Sequence, residues 1–329
     1  KLRNDFTEFT RLVGRLGEIA DSRYTTQVAV VADCQAAMHT WQKDFPAAYR
    51  DCERFMASIE AADEPLLERW PHYVTKYQVL LGDGKAREAA ALLTEILPRL
   101  EGGMHARTVL CIRAAAALAA KWNGDETYQN HLRAFTDQIR IAQWPAILLN
   151  LPGLLAELLA DALEYELEVE LCRAMIAQLR LAAPARRPES WPWSIKVRVL
   201  GDFRIERDSA TVELGAKAPT RALDILRMLA VSKDHACSLE SLQDALWPDL
   251  DGDQAKAACE QALHRLRKLL GAGELIAQRE GRLRLSTDRV WVDLADWEAR
   301  WQQLSNADPA EAASLGQLDR LFRDFTGPV

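Results

Sequence analysis

The stretch ACEQALHRLRKLLG, Ala258–Gly271, decides how the C-terminal half of the chain is read. At 100° per residue, Ala255, Ala258, Cys259, Ala262, Leu263, Leu266, Leu269 and Leu270 fall on one side of a helix. Lys256, Ala257, Glu260, Gln261, His264, Arg267 and Lys268 fall on the other, with Arg265 at the margin. The apolar side predicts a helix docked on a core, and the cationic side predicts a face offered to something outside. Asp253 is the expected N-cap, and the cations near the C-terminus complement the helix dipole.

The surrounding segments fix the context. IKVRVLGDFRIERDSATVEL, from Ile195, alternates with period two around turn signals at Gly201-Asp202 and Asp208-Ser209, which predicts a small antiparallel sheet. Helices are expected at Pro219 to Val231, Leu239 to Trp247 and Gln254 to Leu270. LIAQREGRLRLS predicts a hairpin turning at Glu280-Gly281, and VWVDL a further strand. Strands, three helices and a hairpin, in that order, predict a winged helix-turn-helix with an N-terminal sheet.

Upstream the period is helical almost throughout. Thr26 to Trp41 pairs with Pro46 to Ile59, Leu66 to Leu81 with Lys85 to Leu100, and Ala106 to Trp122 with Asp125 to Ala142. The second helices start about 40 residues apart, the spacing of a tetratricopeptide-like solenoid of helical hairpins. Gly82, Gly84 and Gly124 sit where the turns belong. The expected fold class is therefore mainly α: an N-terminal helical-hairpin solenoid (1–183), a Pro-rich linker in AAPARRPESWPW (184–193), a C-terminal α+β winged helix-turn-helix domain (194–298) and a helical tail (299–329).

Composition sets limits on function. The chain has 329 residues and a net charge of -7, which disfavours indiscriminate nucleic-acid binding. The charge is uneven: Gln261 to Arg289 holds 7 basic residues against 3 acidic, a local +4. The six cysteines form no C-x-x-C pair, so neither a zinc site nor a disulfide framework is expected. No apolar run is long enough for a bilayer and the opening residues lack a signal-peptide core, so a cytoplasmic protein with no membrane partner is expected. The opening inside a helical pattern without Met reads as a fragment.

Four blocks carry a resemblance. IKVRVLGDFRIERDSATVEL, KAPTRALDILRMLAV, SLESLQDALWPDLDGDQAKAACEQALHRLRKLLG and ELIAQREGRLRLSTDRVWVDLADWE resemble successive parts of the antibiotic-regulatory-protein (SARP) type of DNA-binding domain, a variant of the OmpR/PhoB winged helix. The signatures are Leu246-Trp247-Pro248, Leu266-Arg267-Lys268-x-Leu270-Gly271 and Val292-Asp293. The helical part, by HLRAFTDQIRIAQWPAILLNLPGLLAELLADAL and CRAMIAQLRLAAP, resembles the helical-repeat region of MalT-like signalling ATPase regulators. The resemblance implies the output end of a bacterial transcription regulator, an activator, bound to double-stranded DNA, with RNA polymerase and self-association as further partners. It also implies an effector, small molecule or protein, at the helical repeat, and an ATPase module lying upstream. The tail GQLDRLFRDFTGPV resembles the opening of the helical domain that often follows this winged helix.

On that reading Lys256, Gln261, His264, Arg265, Arg267 and Lys268 are the recognition-helix candidates, Gln261 for adenine and the cations for guanine or phosphate. Arg265 has a second option, a bond across the domain. Arg279, Arg282 and Arg284 are the wing candidates, for phosphates or the minor groove. Lys217, Thr220, Arg221 and Ser238 are candidate phosphate contacts at helix starts, with Ser238 equally suited to a plain N-cap.

Other motifs carry less. Asp249, Asp251, Asp253 and Glu260 mimic an EF-hand ladder, yet Gly252 is misplaced and the segment is helical, so no metal and no other cofactor is expected. LGDGKARE lacks the P-loop spacing, and no hydrolase or zincin motif is present, so no catalytic residue is assigned and the chain is read as a non-enzyme. The run ELLADALEYELEVE reads as a solvated acidic face, with competition for the basic helix as its sharper alternative. Trp41, Trp70, Trp122 and Trp144 read as core, with a ligand pocket as the alternative. A rival reading makes the chain a scaffold whose winged helix docks a protein rather than DNA, and salt dependence of binding separates the two.

Overall fold

The structure is a computed structural model that describes residues 6–21, 23–61, 65–143, 148, 151–208, 210–214, 219–271 and 273–306. The chain divides into two compact units, Lys1–Pro184 and Ala185–Val329. It is mainly helical, with its strands in the second unit among the described residues.

The first unit contains α1 (Phe6–Ile19), α2 (Thr25–Gln42), α3 (Phe45–Ala61), α4 (Leu66–Gly82), α5 (Ala86–Ile96), α6 (Gly102–Trp122), α7 (Tyr128–Ala142), α8 (Pro152–Glu164) and α9 (Val169–Leu179). Helices α2 and α3, α4 and α5, and α6 and α7 pack pairwise, and α2 on α4 and α5 on α6 join the pairs. Small side chains allow the first pair to close: Ala29, Ala32 and Ala36 of α2 meet Ala48 and Cys52 of α3, with Phe55 and Ile59 filling the rest. Between α4 and α6, the Trp70 indole donates to Thr108 Oγ1 (2.8 Å) and the buried Tyr77 hydroxyl to the Cys111 carbonyl (2.7 Å).

The same turn closes each pair. A residue in the left-handed region ends the first helix, at Lys43 (φ 60°), Gly84 (φ 79°) and Gly124 (φ 63°). The next N–H then reaches back to a carbonyl of the last turn: Asp44 to His39 (2.9 Å), Lys85 to Leu80 (2.8 Å) and Asp125 to Ala120 (2.9 Å). This is the Schellman arrangement, which satisfies carbonyls the helix leaves open. Gly82 serves differently, since a Cβ there would lie 3.1 Å from both Phe45 and Thr40.

Several sequence expectations are corrected here. The helix expected to run to Leu100 passes into a 3-10 turn at Leu97–Arg99, because Pro98 cannot donate to a continuing α-helix. The helix expected from Asp125 begins at Tyr128; the Asp125 carboxylate instead accepts from the Thr127 N–H and hydroxyl, both at 2.8 Å. The acidic run is not a uniformly solvated face. Asp161 is buried, bonded to Lys121 Nζ (2.7 Å) and to the Tyr128 hydroxyl, while Glu157 also takes Lys121 (3.0 Å). The tryptophans occupy separate settings: Trp70 is buried, Trp41 lies against Phe9, and Trp122 is 42% exposed. Trp144 lies outside the described residues.

The second unit contains β1 (Ile195–Arg198), β2 (Arg204–Arg207), β3 (Ala210–Thr211), α10 (Thr220–Val231), β4 (Ala236–Ser238), α11 (Leu239–Leu246), α12 (Gly252–Leu270), β5 (Ile276–Arg279), β6 (Arg282–Leu285), β7 (Val290–Val292) and α13 (Asp293–Asn306). One sheet has the order β3-β2-β1-β7 and the other β4-β6-β5. The first is not purely antiparallel as expected, since β7 joins β1 in parallel with Ile195 opposite Val290. Between them one core gathers Val197 and Ile205, Leu226 and Leu229 of α10, Leu242 of α11, Leu263, Leu266 and Leu270 of α12, and Leu283 and Leu285 of β6.

The Val292-Asp293 signature has a structural reason. The Asp293 carboxylate accepts from the N–H groups of Val199 (2.9 Å), Leu200 (3.0 Å) and Leu294 (2.8 Å), tying the end of β1 to the start of α13. Burial raises its pKa, and those three donors pull the other way. The segment read as a Pro-rich linker is packed rather than free. Trp191 and Trp193 are each 4% exposed, the Trp291 indole donates to the Arg187 carbonyl (3.1 Å), and the Arg187 guanidinium donates to the Val290 carbonyl. Helix α13 accounts for the first part of the expected tail, and residues 307–329 lie outside the described residues.

Candidate nucleic-acid interface

Helix α12 is built to present one face. Its N-cap is Asp251, whose Oδ1 accepts from the Gln254 N–H at 2.9 Å, two residues before the expected Asp253. Asp253 then sits in the first turn, where a carboxylate favours the positive end of the helix. Gly271 (φ 79°) ends the helix, a conformation that favours glycine, and a Cβ there would also crowd Arg207 at 3.2 Å.

The inner stripe is buried at Ala255, Cys259, Ala262, Leu263, Leu266 and Leu270. Lys256, Gln261, His264, Arg265 and Lys268 are exposed. Arg265 makes no bond across the unit among the described residues. Arg267 departs from the expected placement: it is half-buried and donates from Nη2 to the Ile276 carbonyl at 3.4 Å, joining the helix end to β5. Its position on the helix wheel is right, but the chain returning after Gly271 covers it.

The exposed side chains form two rows. Gln261, Arg265 and Lys268 line a groove of about 680 Å³ with Thr220 and Arg221 of α10 and with Trp247. That lining holds three cations and no carboxylate. Arg221 is steadied by Asp224 (3.8 Å) and lies 6.0 Å from the centre of the Trp247 ring. Lys256 and His264 lie on the other row, with Glu260 between them. Lys217 lies outside the described residues. Trp247 of the Leu246-Trp247-Pro248 signature thus supplies one wall of the groove.

The hairpin stands beside this helix in sequence and in the same core. Its strands pair Arg279 with Arg282 across a two-residue turn, Glu280 (φ 49°) and Gly281 (φ 73°), the double positive φ of a type I′ turn. Leu283 and Leu285 point into the core, so Arg282 and Arg284 share the opposite, exposed face with Arg279. Ser238 lies opposite Arg282 on β4. Its hydroxyl caps α11 by accepting from the Ser241 N–H (3.0 Å) and donates to Ser241 Oγ (2.7 Å), which is the plain N-cap role.

The remaining cysteines and acids show structural settings. Cys52, Cys111, Cys172 and Cys259 are buried, and burial pushes the Cys52 and Cys172 thiols up to about 12. Among the described residues no group of His, Cys, Asp or Glu is placed to hold a metal ion, and no helix is long and apolar enough to cross a membrane. The EF-hand-like acids include the Asp251 cap.

With the cationic groove and the exposed arginines in place, one comparison is informative. The chain is similar to a regulatory protein. Over 141 residues it is 33% identical to the regulatory protein AfsR of Streptomyces coelicolor, a match that takes in 43% of this chain and 13% of that protein. The chain thus spans a small part of that relative's length. No family model matches the chain, and no solved structure does.

Sequence reasoning missed two features of this surface. Trp247 belongs to the groove wall, and the only local signal was its place between a helix and a proline. The half-burial of Arg267 depends on β5, which no local pattern brings to the helix.

Proposed function

We propose that the second unit is a winged-helix DNA-binding domain of the SARP kind, and that the chain is part of a transcription regulator. Helix α12 is the recognition helix in this reading and the β5–β6 hairpin the wing. The observation that carries it is that every charged residue lining the α10–α12 groove is a cation, on a chain whose net charge is -7. A solvated helix face on an acidic protein is expected to mix signs, whereas a face that meets phosphates is expected to exclude carboxylates. Three exposed arginines on one face of the hairpin support the same reading, as does the likeness to a regulatory protein.

Gln261, Arg265 and Lys268, spaced i, i+4 and i+7, are the residues assigned to the groove of the duplex. Thr220 and Arg221 at the start of α10 take phosphate. Arg279 and Arg282 at the hairpin tip take phosphate or the minor groove. Arg267 is reassigned to holding the helix end in place. The helical pairs of the first unit, with their thrice-repeated turn, are read as a solenoid arm that carries a signal or mediates assembly. RNA polymerase, a second copy on DNA and an effector at the arm remain partners of this proposal, and the cytoplasm is its compartment.

Selection of bound sites from random duplex DNA, followed by a salt titration on the selected site, tests it. A recurrent site whose log affinity falls with log salt at about -0.9 per phosphate contact supports the proposal. No enriched site and a slope near zero would leave the scaffold reading, for which the Trp247-walled groove would be the docking surface.

A further inference from the structure

A second basin, of about 840 Å³, lies in the same unit away from the α10–α12 groove. It is bounded by the end of α10, the turn that leads into β4, the end of β6 and the first residues of α13. Arg187, Lys233 and Arg284 bring three cations to it, and Asp234 and Glu298 two carboxylates. Lys233, Arg284, Asp234 and Glu298 form no ion pair with one another or with other described residues. The Arg187 guanidinium is held in place by the Val290 carbonyl and the Trp193 ring, 5.1 Å away.

The turn that carries Lys233 is unusual. Asp234 (φ 55°) and His235 (φ 50°) are successive non-glycine residues in the left-handed region, each unfavourable for a residue with a Cβ. The conformation is fixed from below, where the buried His235 ring bonds through Nδ1 to the Ala230 carbonyl (3.1 Å) and the His235 N–H bonds to the Ser232 carbonyl (2.9 Å). A strained turn locked by a buried side chain, beside opposite charges that do not neutralise each other, is the arrangement of a preorganised polar site. Its volume lies in the range of sites for small ligands.

We propose that this basin binds a phosphate monoester that also carries an amino or hydroxyl donor. Arg187, Lys233 and Arg284 take the phosphate oxygens, by the charge-assisted hydrogen bonds that guanidinium and ammonium groups favour. Glu298 and Asp234 accept from the donor end. The occupant is a free small molecule, since the phosphodiester backbone of a duplex offers no amino or hydroxyl donor to Glu298 and Asp234.

Titration of the whole chain with phosphoethanolamine, followed by the rise in unfolding temperature and by isothermal calorimetry, tests the proposal. The expected result is saturable binding that Lys233→Glu weakens about tenfold or more and Lys233→Arg largely preserves. Lys233 is exposed, so both variants are expected to fold as the parent does. If phosphoethanolamine does not bind and Lys233→Ala instead lowers the salt dependence of duplex binding by about one contact, the cations serve a duplex backbone and the proposal is overturned. Absence of saturable binding overturns it equally when Lys233→Ala leaves duplex binding unaltered. The phosphoethanolamine arm reads out whether or not the chain binds DNA, so the two proposals fail separately.

Discussion

Arg279 and Arg282 face each other directly across the two-residue turn of the β5–β6 hairpin, both exposed, with no carboxylate bonded to either among the described residues. Like charges directly opposite on antiparallel strands disfavour the pairing. A hairpin selected for stability alone has no use for this arrangement. A phosphate between the two guanidinium groups would remove the conflict.

The first prediction follows from that pair. Arg279→Thr is expected to stabilise the second unit by about 0.5 kcal/mol, since a β-branched residue suits the strand and the repulsion is gone. Duplex affinity is expected to fall. Chemical denaturation and a fluorescence-anisotropy titration at one salt concentration measure the two effects, and a variant that is less stable with unchanged affinity would contradict the reading.

Arg265 and Arg267, two positions apart on α12, are expected to separate function from structure. Arg265→Ala should leave the unfolding midpoint nearly unchanged and weaken specific DNA binding by about 1–3 kcal/mol. Arg267→Ala should lower stability by about 1 kcal/mol through the lost bond to the Ile276 carbonyl, with a smaller effect on binding. The opposite pattern would exchange their roles.

Burial holds the His235 imidazole below its ordinary value of 6.5. Between that lowered value and 6.5 the unfolded chain binds more protons than the folded one, so stability is present above this window and is lost as pH falls through it. His235→Asn, a residue tolerant of positive φ, is expected to flatten that part of the stability profile. Denaturation midpoints at a series of pH values from neutral downward supply the comparison, and equal slopes for parent and variant would remove His235 as the cause.

In the first unit, Asp161→Ala would leave the Lys121 ammonium with Glu157 alone and the Tyr128 hydroxyl without its carboxylate. A loss of about 1–3 kcal/mol is expected, the cost of stranding half-buried donors. Asp161→Asn should cost less because its amide oxygen still accepts. Urea denaturation of both variants distinguishes this polar cluster from a dispensable surface patch.

Much of the helical content was legible because apolar side chains recur with the helical period over long windows. The α12 face was legible for the same reason, since Leu263, Leu266 and Leu270 leave little doubt about its inward side. What local pattern could not reach was anything decided by a distant strand or a choice among equals. Asp249, Asp251 and Asp253 are chemically equivalent caps, and only the backbone path selects Asp251. The parallel pairing of β7 with β1 joins residues nearly a hundred positions apart. The thrice-used left-handed turn was half visible, because glycine marks it at 84 and 124 whereas Lys43 occupies the same conformation unannounced. Proline spacing gave 184–193 the look of a spacer, and the signal against it was Trp191 and Trp193, too large and apolar for a solvated tether.

Those two indoles bear on how the C-terminal unit can be isolated. A fragment cut at Ile195, where the first strand starts, would shed Trp191 and Trp193 and strip the Arg187 clasp from Trp291, exposing the outer side of the sheet that β7 completes. A fragment begun ten residues earlier, at Ala185, where the second compact unit starts, keeps these contacts, and what resembles a tether is the hem of the domain.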